Sequence, residues 1–198
     1  MWPRGNAMGT PSQLAAFRDN LRRHPGQYRL GYRVQARWEG IGARATCQLG
    51  TWTLGGQIQD GRTYTLALGT PRRLEEALGI EPPTDRLDPV EVVLGALAAS
   101  VAATVALGAQ GRDLALTGVS VTAHTTIDPS PLFGARAPEE LPQALGSIQV
   151  TVTVHGDLEP TASGIIERLV RGAPVFGLLG LPMALHTTVI VQRMLPTA

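Results

Sequence analysis

An uncharged, alanine-rich stretch runs from Val92 to Gly111 and limits the folds open to this chain more than any other feature. About 20 such residues can cross a bilayer, so the stretch predicts either a membrane span or a helix buried in a soluble protein. Ser100 and Thr104 lower its hydrophobicity, and the flanking segments alternate between apolar and polar residues as in a soluble sheet. These features favour the buried helix, and a helix that is apolar on every side must be covered on every side.

The residues just before this stretch form a strong helix start. Asp88 is suited to be the N-cap and Pro89 to be the first helical residue. Glu91 is suited to complete a capping box, because it can reach back to the Asp88 backbone. Since Gly108 and Gly111 mark the end, we predict one long helix that begins at Pro89.

Alternating residues predict strands on both sides of the long helix. Residues 28–38 alternate most regularly, and we expect a half-buried strand with one apolar face and one arginine-rich face. The other predicted elements are strands at 43–49, 63–68, 114–126, 147–155 and 187–193, helices at 70–79 and 163–172, a turn after Pro174 and a loop near 128–146. The order βββ, helix, ββ, helix, β predicts an α+β fold with a mostly antiparallel sheet.

The N-terminal residues predict a separate short element. Residues 12–23 can form an amphipathic helix with Ser12 as its N-cap. We assign it to an N-terminal helical extension, residues 1–26, and the main domain to residues 27–198. Arginines interrupt the N-terminus before an apolar run long enough for a secretory signal develops, so we predict a cytoplasmic protein.

The composition excludes several functions. The chain has 198 residues and a formal net charge of +1, which is typical neither of a nucleic-acid-binding protein nor of a disordered one. All of its basic side chains except histidine are arginine, which excludes a Schiff-base lysine. Cys47 is the only cysteine, which excludes an intramolecular disulfide and a multi-cysteine metal site. A nearly neutral chain with 43% hydrophobic residues is expected to hide apolar surface in an oligomer.

The remaining reactive side chains each have a simple structural interpretation. Cys47 shares the apolar side of its predicted strand with Ala45 and Leu49, so we predict a small core residue rather than a reactive thiol. His124 and His155 lie on the polar faces of two strands that can be neighbours, where they could meet around a metal ion. Because no third ligand has suitable spacing, we predict solvated histidines, no metal and no cofactor.

Two segments carry a resemblance to a known family. PVEVVLGALAAS opens the long helix, and RLVRGAPVFGLLG covers the end of the second one and the residues after it. Together with the order of elements, they resemble the OsmC/Ohr family of thiol-dependent hydroperoxide reductases over residues 27–193. The resemblance implies an intertwined homodimer in which sheets wrap two central helices. Such a dimer would cover an alanine-rich helix on every side.

The resemblance also implies where the two thiols of the family would lie, and both are missing here. The peroxidatic cysteine follows the helix-opening proline by eleven residues, a position that is Ser100 in this chain. The resolving cysteine belongs to a Cys-Pro pair, which is Ala173-Pro174 here. This chain is thus predicted to be a divergent member that lacks both redox cysteines.

The charged partners of the family thiol are also altered. The reductases have a glutamate directly after the helix-opening proline, and this chain has Val90 there. Glu91 follows one residue later, rotated by about 100° around the helix, and we assign it to the capping box. Arg44 is the candidate for the family arginine, which comes from the first strand turn.

These losses decide the predicted function. Peroxide reduction needs a thiolate that becomes a sulfenic acid and a second thiol that resolves it, and serine cannot follow this chemistry. Without a nucleophile elbow, Ser100 is predicted to be a structural serine bonded to a carbonyl of its own helix. We therefore predict a stress-related protein without thiol peroxidase activity and without a nucleic-acid or membrane partner. It acts as a scaffold or binds a small apolar ligand, and the predicted ligand pocket is formed by Ser100, Ala173, Pro174 and Phe176. The alternative is an organic hydroperoxide reductase, either through Cys47 or in a parent protein with cysteines at positions 100 and 173.

Overall fold

The computed structural model describes residues 10–59, 61–112, 114–159, 161–181 and 186–189. Its helices are α1 (Pro11–Arg23), α2 (Arg72–Ala77), α3 (Pro89–Gln110), α4 (Leu141–Ala144), α5 (Ala162–Arg171) and α6 (Pro174–Gly180). Its strands are β1 (Leu30–Trp38), β2 (Ala45–Leu54), β3 (Gln57–Gln59), β4 (Tyr64–Leu68), β5 (Ala115–His124) and β6 (Gln149–Asp157). The predicted α+β class is confirmed, and every strand pair within the two sheets is antiparallel.

The first sheet contains β1 to β4, with β2 at its centre. β1 pairs with β2 along most of its length, while β3 and β4 pair with different halves of the other edge of β2. The prediction of three strands was wrong in one respect, because it missed the three-residue strand β3. Strands this short carry too few residues for alternation to show.

The first sheet is poorly covered within one chain. The side chains of Tyr32 and Trp38 in β1 are 68% and 69% exposed, and that of Ile58 in β3 is 72% exposed. The expectation of a half-buried β1 is therefore wrong for the isolated chain, and Tyr28 lies in a 3-10 helix before the strand. Alternation in a sequence reports that a face is apolar, but it does not say which chain covers that face.

The hydrophobic core lies between the second sheet, which is formed by β5 and β6, and three helices. α3 contributes Leu97, Val101 and Val105, which follow one another at four-residue intervals along one side of the helix. Ile166 and Leu169 from α5 and Ala173 at the start of α6 complete the buried cluster. At Gly108, α3 and α5 approach so closely that a methyl group on this residue would overlap the Leu169 side chain.

The long helix begins as the sequence predicts. Asp88 accepts a hydrogen bond from the Val90 N–H at 2.8 Å, and Glu91 accepts one from the Asp88 N–H at 2.8 Å. The predicted capping box is therefore present, with Pro89 as the first helical residue. Among the described residues α3 is also the one helix long and apolar enough to cross a membrane, by length and composition alone. One side of α3 packs against β5, α5 and α6, while its other side remains exposed in the single chain.

The N-terminal helix is attached to the C-terminal end of α3. Its N-cap is Thr10, with Gln13 completing a capping box, so the prediction of Ser12 as the N-cap was two residues late. Arg18 donates hydrogen bonds to the carbonyl oxygens of Leu107 and Gly111. These carbonyls lie at the negative end of the helix, where a guanidinium is favourable. This contact ties the predicted extension to the core helix.

The segment after α5 differs from its prediction. Residues 174–180 form the helix α6, whereas we had predicted only a turn after Pro174. Proline is favoured at the first helical position, so the sequence does contain a signal for this helix start. Thr187, Thr188 and Val189 of the predicted last strand have no strand pairing, and its residues 190–193 lie outside the described residues.

Candidate functional site

Ser100 and the residues around Ala173 meet in the structure. Ala173 is the N-cap residue of α6 and is 1% exposed. Its methyl group cannot accept the hydrogen bond that an N-cap side chain normally takes from the first helical turn. The Ser100 Oγ does so instead, because it accepts a hydrogen bond from the Val175 N–H at 3.3 Å. Ser100 in α3 thus caps α6 from outside.

This contact corrects the expected role of the Ser100 hydroxyl. We had predicted that it would bond to a carbonyl of its own helix, but its partner is on α6. The back-bonding residue is Thr104, whose hydroxyl donates to the Ser100 carbonyl oxygen at 2.8 Å. Both α3 hydroxyls therefore have structural partners, and neither of these hydrogen bonds joins Ser100 to a base.

The predicted ligand pocket is divided by this packing. Phe176 lines two cavities, of about 260 and 510 Å³, on the side of β6. Leu97, Ile148 and Val150 are among the other residues of the smaller one. Ser100, Ala173 and Pro174 line neither of the two, and Ala173 is fully packed into the core. The prediction of a ligand at this place stays a prediction.

Arg44 is buried and held by a partner that no sequence pattern indicated. Its guanidinium donates two hydrogen bonds to the Glu75 carboxylate, at 2.7 and 2.8 Å, and a third to the Pro82 carbonyl oxygen at 2.7 Å. The Glu75 side chain is 0% exposed. The hydrogen bond from Arg44, with further ones from Thr84, lowers the pKa of Glu75 to about 2. The same bond raises the pKa of Arg44, so both groups are charged at neutral pH.

A second ion pair links the segment between α2 and α3 to the first sheet. Arg86 donates to both carboxylate oxygens of Glu39, at 2.7 and 2.9 Å, and Thr46 donates to one of them at 2.6 Å. The hydrogen bond from Arg86 is the main reason that the pKa of Glu39 is lowered to about 2. The two pairs hold the segment between α2 and α3 in place, and they leave Arg44 committed to Glu75 rather than to a group on α3.

The other candidate residues are spread over the molecule. Val90 is partly buried in the first turn of α3, and Glu91 serves the capping box. Cys47 is half-buried in β2, on the first sheet and outside the core cluster. In the pairing of β5 with β6, His155 lies opposite Gly118 while His124 lies opposite Gln149. The two histidines are at opposite ends of the strand pair, so the hypothesis that they meet was wrong.

Comparisons with known proteins identify the fold. The structure is similar to an OsmC-like protein from Mycoplasma pneumoniae, with a TM-score of 0.51 and 17% sequence identity over 76% of this chain and 87% of that one. Two further similar structures are organic hydroperoxide resistance proteins. The one from Legionella pneumophila has a TM-score of 0.48 and 16% identity over 75% of this chain and 88% of that one. The one from Elizabethkingia anophelis has a TM-score of 0.48 and 12% identity over 73% and 84%.

The chain therefore has an OsmC/Ohr-like fold, and this assignment rests on the Mycoplasma structure. No protein-family model and no curated protein sequence matches the chain. At these identities, the similarity concerns the architecture of mixed helices and antiparallel sheet, and it transfers no residue role.

Proposed function

We propose that this protein is a cytoplasmic, homodimeric binding protein with an OsmC/Ohr-like fold, which carries out no thiol peroxidase chemistry and takes a small apolar ligand. The observation that carries the proposal is the hydrogen bond from the Val175 N–H to the Ser100 Oγ. It supports the matching of Ser100 and Ala173 with the two thiol positions of the reductases, because it brings the two places together in space. It also gives the serine a structural role that explains its presence.

The chemistry of the site supports the same conclusion. A hydroperoxide is reduced when a thiolate attacks one oxygen and becomes a sulfenic acid, and a hydroxyl has no equivalent oxidised state. Arg44, the candidate for activating such a group, is held by Glu75. Cys47 lies in β2 of the first sheet, where its cross-strand neighbours Ala36 and Leu66 offer no charge that would activate a thiol.

The exposed surface of α3 supports the homodimer. Its side away from the core is apolar and carries the exposed residues Ala96, Ala99, Ala103 and Leu107. β1 adds a second exposed apolar surface through Tyr32, Val34 and Trp38. Contiguous apolar surface of this kind marks an interaction site in a soluble protein. An alanine-lined helix face allows another helix to approach closely, which favours a second copy of the chain as the partner.

A charge on that face should break the dimer. We expect Ala99→Glu to weaken dimerisation by at least about a hundredfold, because an unpaired carboxylate would be buried at the contact. Ala16→Glu is the matched control, since Ala16 is an exposed helical alanine on α1. Sedimentation velocity over a range of protein concentrations measures both. A monomeric parent protein would refute the homodimer, and an Ala99→Glu variant that stays dimeric would refute the α3 face as its interface.

Absence of peroxidase activity is tested with cumene hydroperoxide and a dithiol donor. We expect the protein to consume the peroxide no faster than its Cys47→Ser variant, which has no thiol, because the neighbours Ala36 and Leu66 do not activate Cys47. Mass spectrometry of Cys47 after peroxide treatment checks for oxidation at that site. Turnover at least about tenfold above the Cys47→Ser variant would overturn the non-catalytic function and establish the reductase alternative.

A further inference from the structure

A pocket of about 580 Å³ opens at the start of α3, on a different side of that helix from Ser100. Its walls come from three segments that are far apart in sequence. They are the approach to α2 with Thr70 and Leu74, the first turns of α3 with Val90 and Leu94, and the connection between β5 and β6 with Leu141 and Leu145. Leu94 and Ser100 are about 120° apart around the helix axis. A volume of this size suits a small organic molecule.

The pocket is lined mainly by apolar side chains. Ile127, Leu141 and Leu145 on the connecting segment remain 42%, 45% and 52% exposed although they face a concave surface. Val90 adds a further apolar side chain to the wall. By the resemblance described above, the hydroperoxide reductases have a charged glutamate at this position. Exposed apolar groups that converge on a cavity are typical of a binding site.

One buried polar group in the wall lacks a partner. Thr70 is 2% exposed, and its hydroxyl oxygen makes no hydrogen bond within the described part of the chain. Leaving a buried hydroxyl unpaired destabilises a protein, whereas a ligand group that bonds to it removes that penalty. Thr70 is therefore the natural anchor for a single polar group on an otherwise apolar ligand.

The charges around the pocket restrict the ligand further. Asp88, Glu91 and Asp128 all contribute to its lining. Asp88 and Glu91 cap α3, and Asp128 accepts hydrogen bonds from Ser130, which lower its pKa. Within the described residues, one of these three carboxylates is paired with a cation: the Arg136 Nε lies 3.3 Å from the Asp128 Oδ2. The carboxylates thus disfavour an anionic ligand such as a fatty acid.

We propose that this pocket binds a small, neutral, mostly apolar molecule that carries one hydrogen-bonding group directed at Thr70. The protein's ligand site then lies at the start of α3 instead of at Ser100 and Ala173. This inference rests on the proposed function only for the general class of ligand. The pocket is built from a single chain, so its occupation does not require the dimer.

Nile red, a neutral fluorescent probe, tests the site in the full chain. We expect it to bind with increased emission, and Leu145→Trp to weaken the binding at least about tenfold by filling the pocket. Leu178→Trp is the matched control, because Leu178 is 56% exposed on α6 and does not line this pocket. It should change the affinity less than about twofold. Leu141→Trp is a second filling variant, and thermal melts verify that each variant is folded.

Competition against Nile red tests the chemistry of the ligand. We expect 1-decanol to displace the probe at a concentration at least about tenfold lower than decanoate, which has the same chain length and a negative charge. Thr70→Val should weaken 1-decanol binding about fivefold, because one hydrogen bond is lost. The same change should raise the melting temperature of the free protein by about 2–4 °C, since the unpaired hydroxyl is removed.

Three results would overturn the inference. The first is that Nile red fails to bind, or binds equally to the filling variants and the parent. The second is that decanoate competes as well as 1-decanol. The third is that the filling variants dissociate the dimer, which would assign the pocket to a second copy of the chain. Peroxide turnover, by contrast, overturns the proposed function whatever the Nile red result. A negative probe experiment without peroxide turnover removes only the pocket.

Discussion

The double variant Ser100→Cys with Ala173→Cys is expected to form an intramolecular disulfide when treated with one equivalent of cumene hydroperoxide. The Ser100 Oγ occupies the place where an N-cap side chain of residue 173 would bond to the Val175 N–H. A sulfur at position 100 would therefore lie beside the Cβ of residue 173. The N-terminus of α6 also stabilises a thiolate there, although α6 is short.

The expected reaction has two steps. The thiolate introduced at position 100 attacks the terminal oxygen of the peroxide and becomes a sulfenic acid, while the rest of the peroxide takes up a proton and leaves as the alcohol. The second thiol, at position 173, then displaces water to form the disulfide. With a dithiol donor present, we expect turnover at least about tenfold above that of the parent protein, which lacks both thiols. Because Arg44 is bound to Glu75, the rate should rise further with pH as the thiol ionises.

Mass spectrometry under non-reducing conditions measures the disulfide, and the two single variants are the controls. Ser100→Cys alone should stop at the sulfenic acid, and Ala173→Cys alone should resist oxidation because residue 173 is buried. If the double variant remains a dithiol after peroxide treatment, the two positions are not adjacent in solution. The matching of Ser100 and Ala173 with the family thiols would then be wrong.

The parts of this structure that follow local rules could be predicted from the sequence. The α3 capping box needs only Asp88, Pro89 and Glu91 within one turn, and it forms as expected. β5 and β6 also follow from alternation, since one of their faces is buried by α3 in the same chain. The order of elements and two short segments predicted an OsmC/Ohr-like fold, and the similarity to the Mycoplasma structure agrees with this prediction.

The parts that depend on distant residues could not be predicted. Glu75 stands next to Glu76 in a short helix, and no local pattern shows that only the first of them is buried against Arg44. The cap that Ser100 provides for α6 also joins two helices far apart in sequence. Such pairings are specified by tertiary packing and leave no periodic signal.

Removal of the buried carboxylate at Glu75 is expected to give the largest loss of stability. Glu75→Gln would leave the Arg44 guanidinium buried without its counter-charge, and would weaken the hydrogen bonds from Thr84. Breaking a buried ion pair on one side is strongly destabilising, so we expect the melting temperature to fall by roughly 10 °C. Glu76→Gln is the matched control on the same helix, where the glutamate is 39% exposed and pairs only with surface arginines. It should shift the melting temperature by about 1 °C or less.

The pH dependence of this effect follows from the lowered pKa. Because the pKa of Glu75 falls to about 2 in the folded state, its ionised form stabilises the protein above the ordinary carboxyl range near 4.5. That stabilisation is lost progressively as the pH falls from about 4.5 to 2, as the carboxylate takes up a proton. The difference in urea midpoint between the parent and Glu75→Gln should therefore be constant from about pH 7 to 5 and shrink below that range. A difference that stays constant down to about pH 2.5 would show that folding does not lower the pKa of Glu75.

The double change Arg44→Met with Glu75→Leu separates the charge from the packing. Replacing both partners by apolar side chains of similar size leaves no buried charge, so this variant should be more stable than Glu75→Gln. Its urea midpoint should also lack the pH dependence that is due to Glu75, while the part due to Glu39 remains, because the pKa of Glu39 is likewise lowered to about 2 by its bond to Arg86. A double variant less stable than Glu75→Gln would mean that the pair holds the α2–α3 connection through its hydrogen bonds to Pro82 and Thr84 more than through its charge balance.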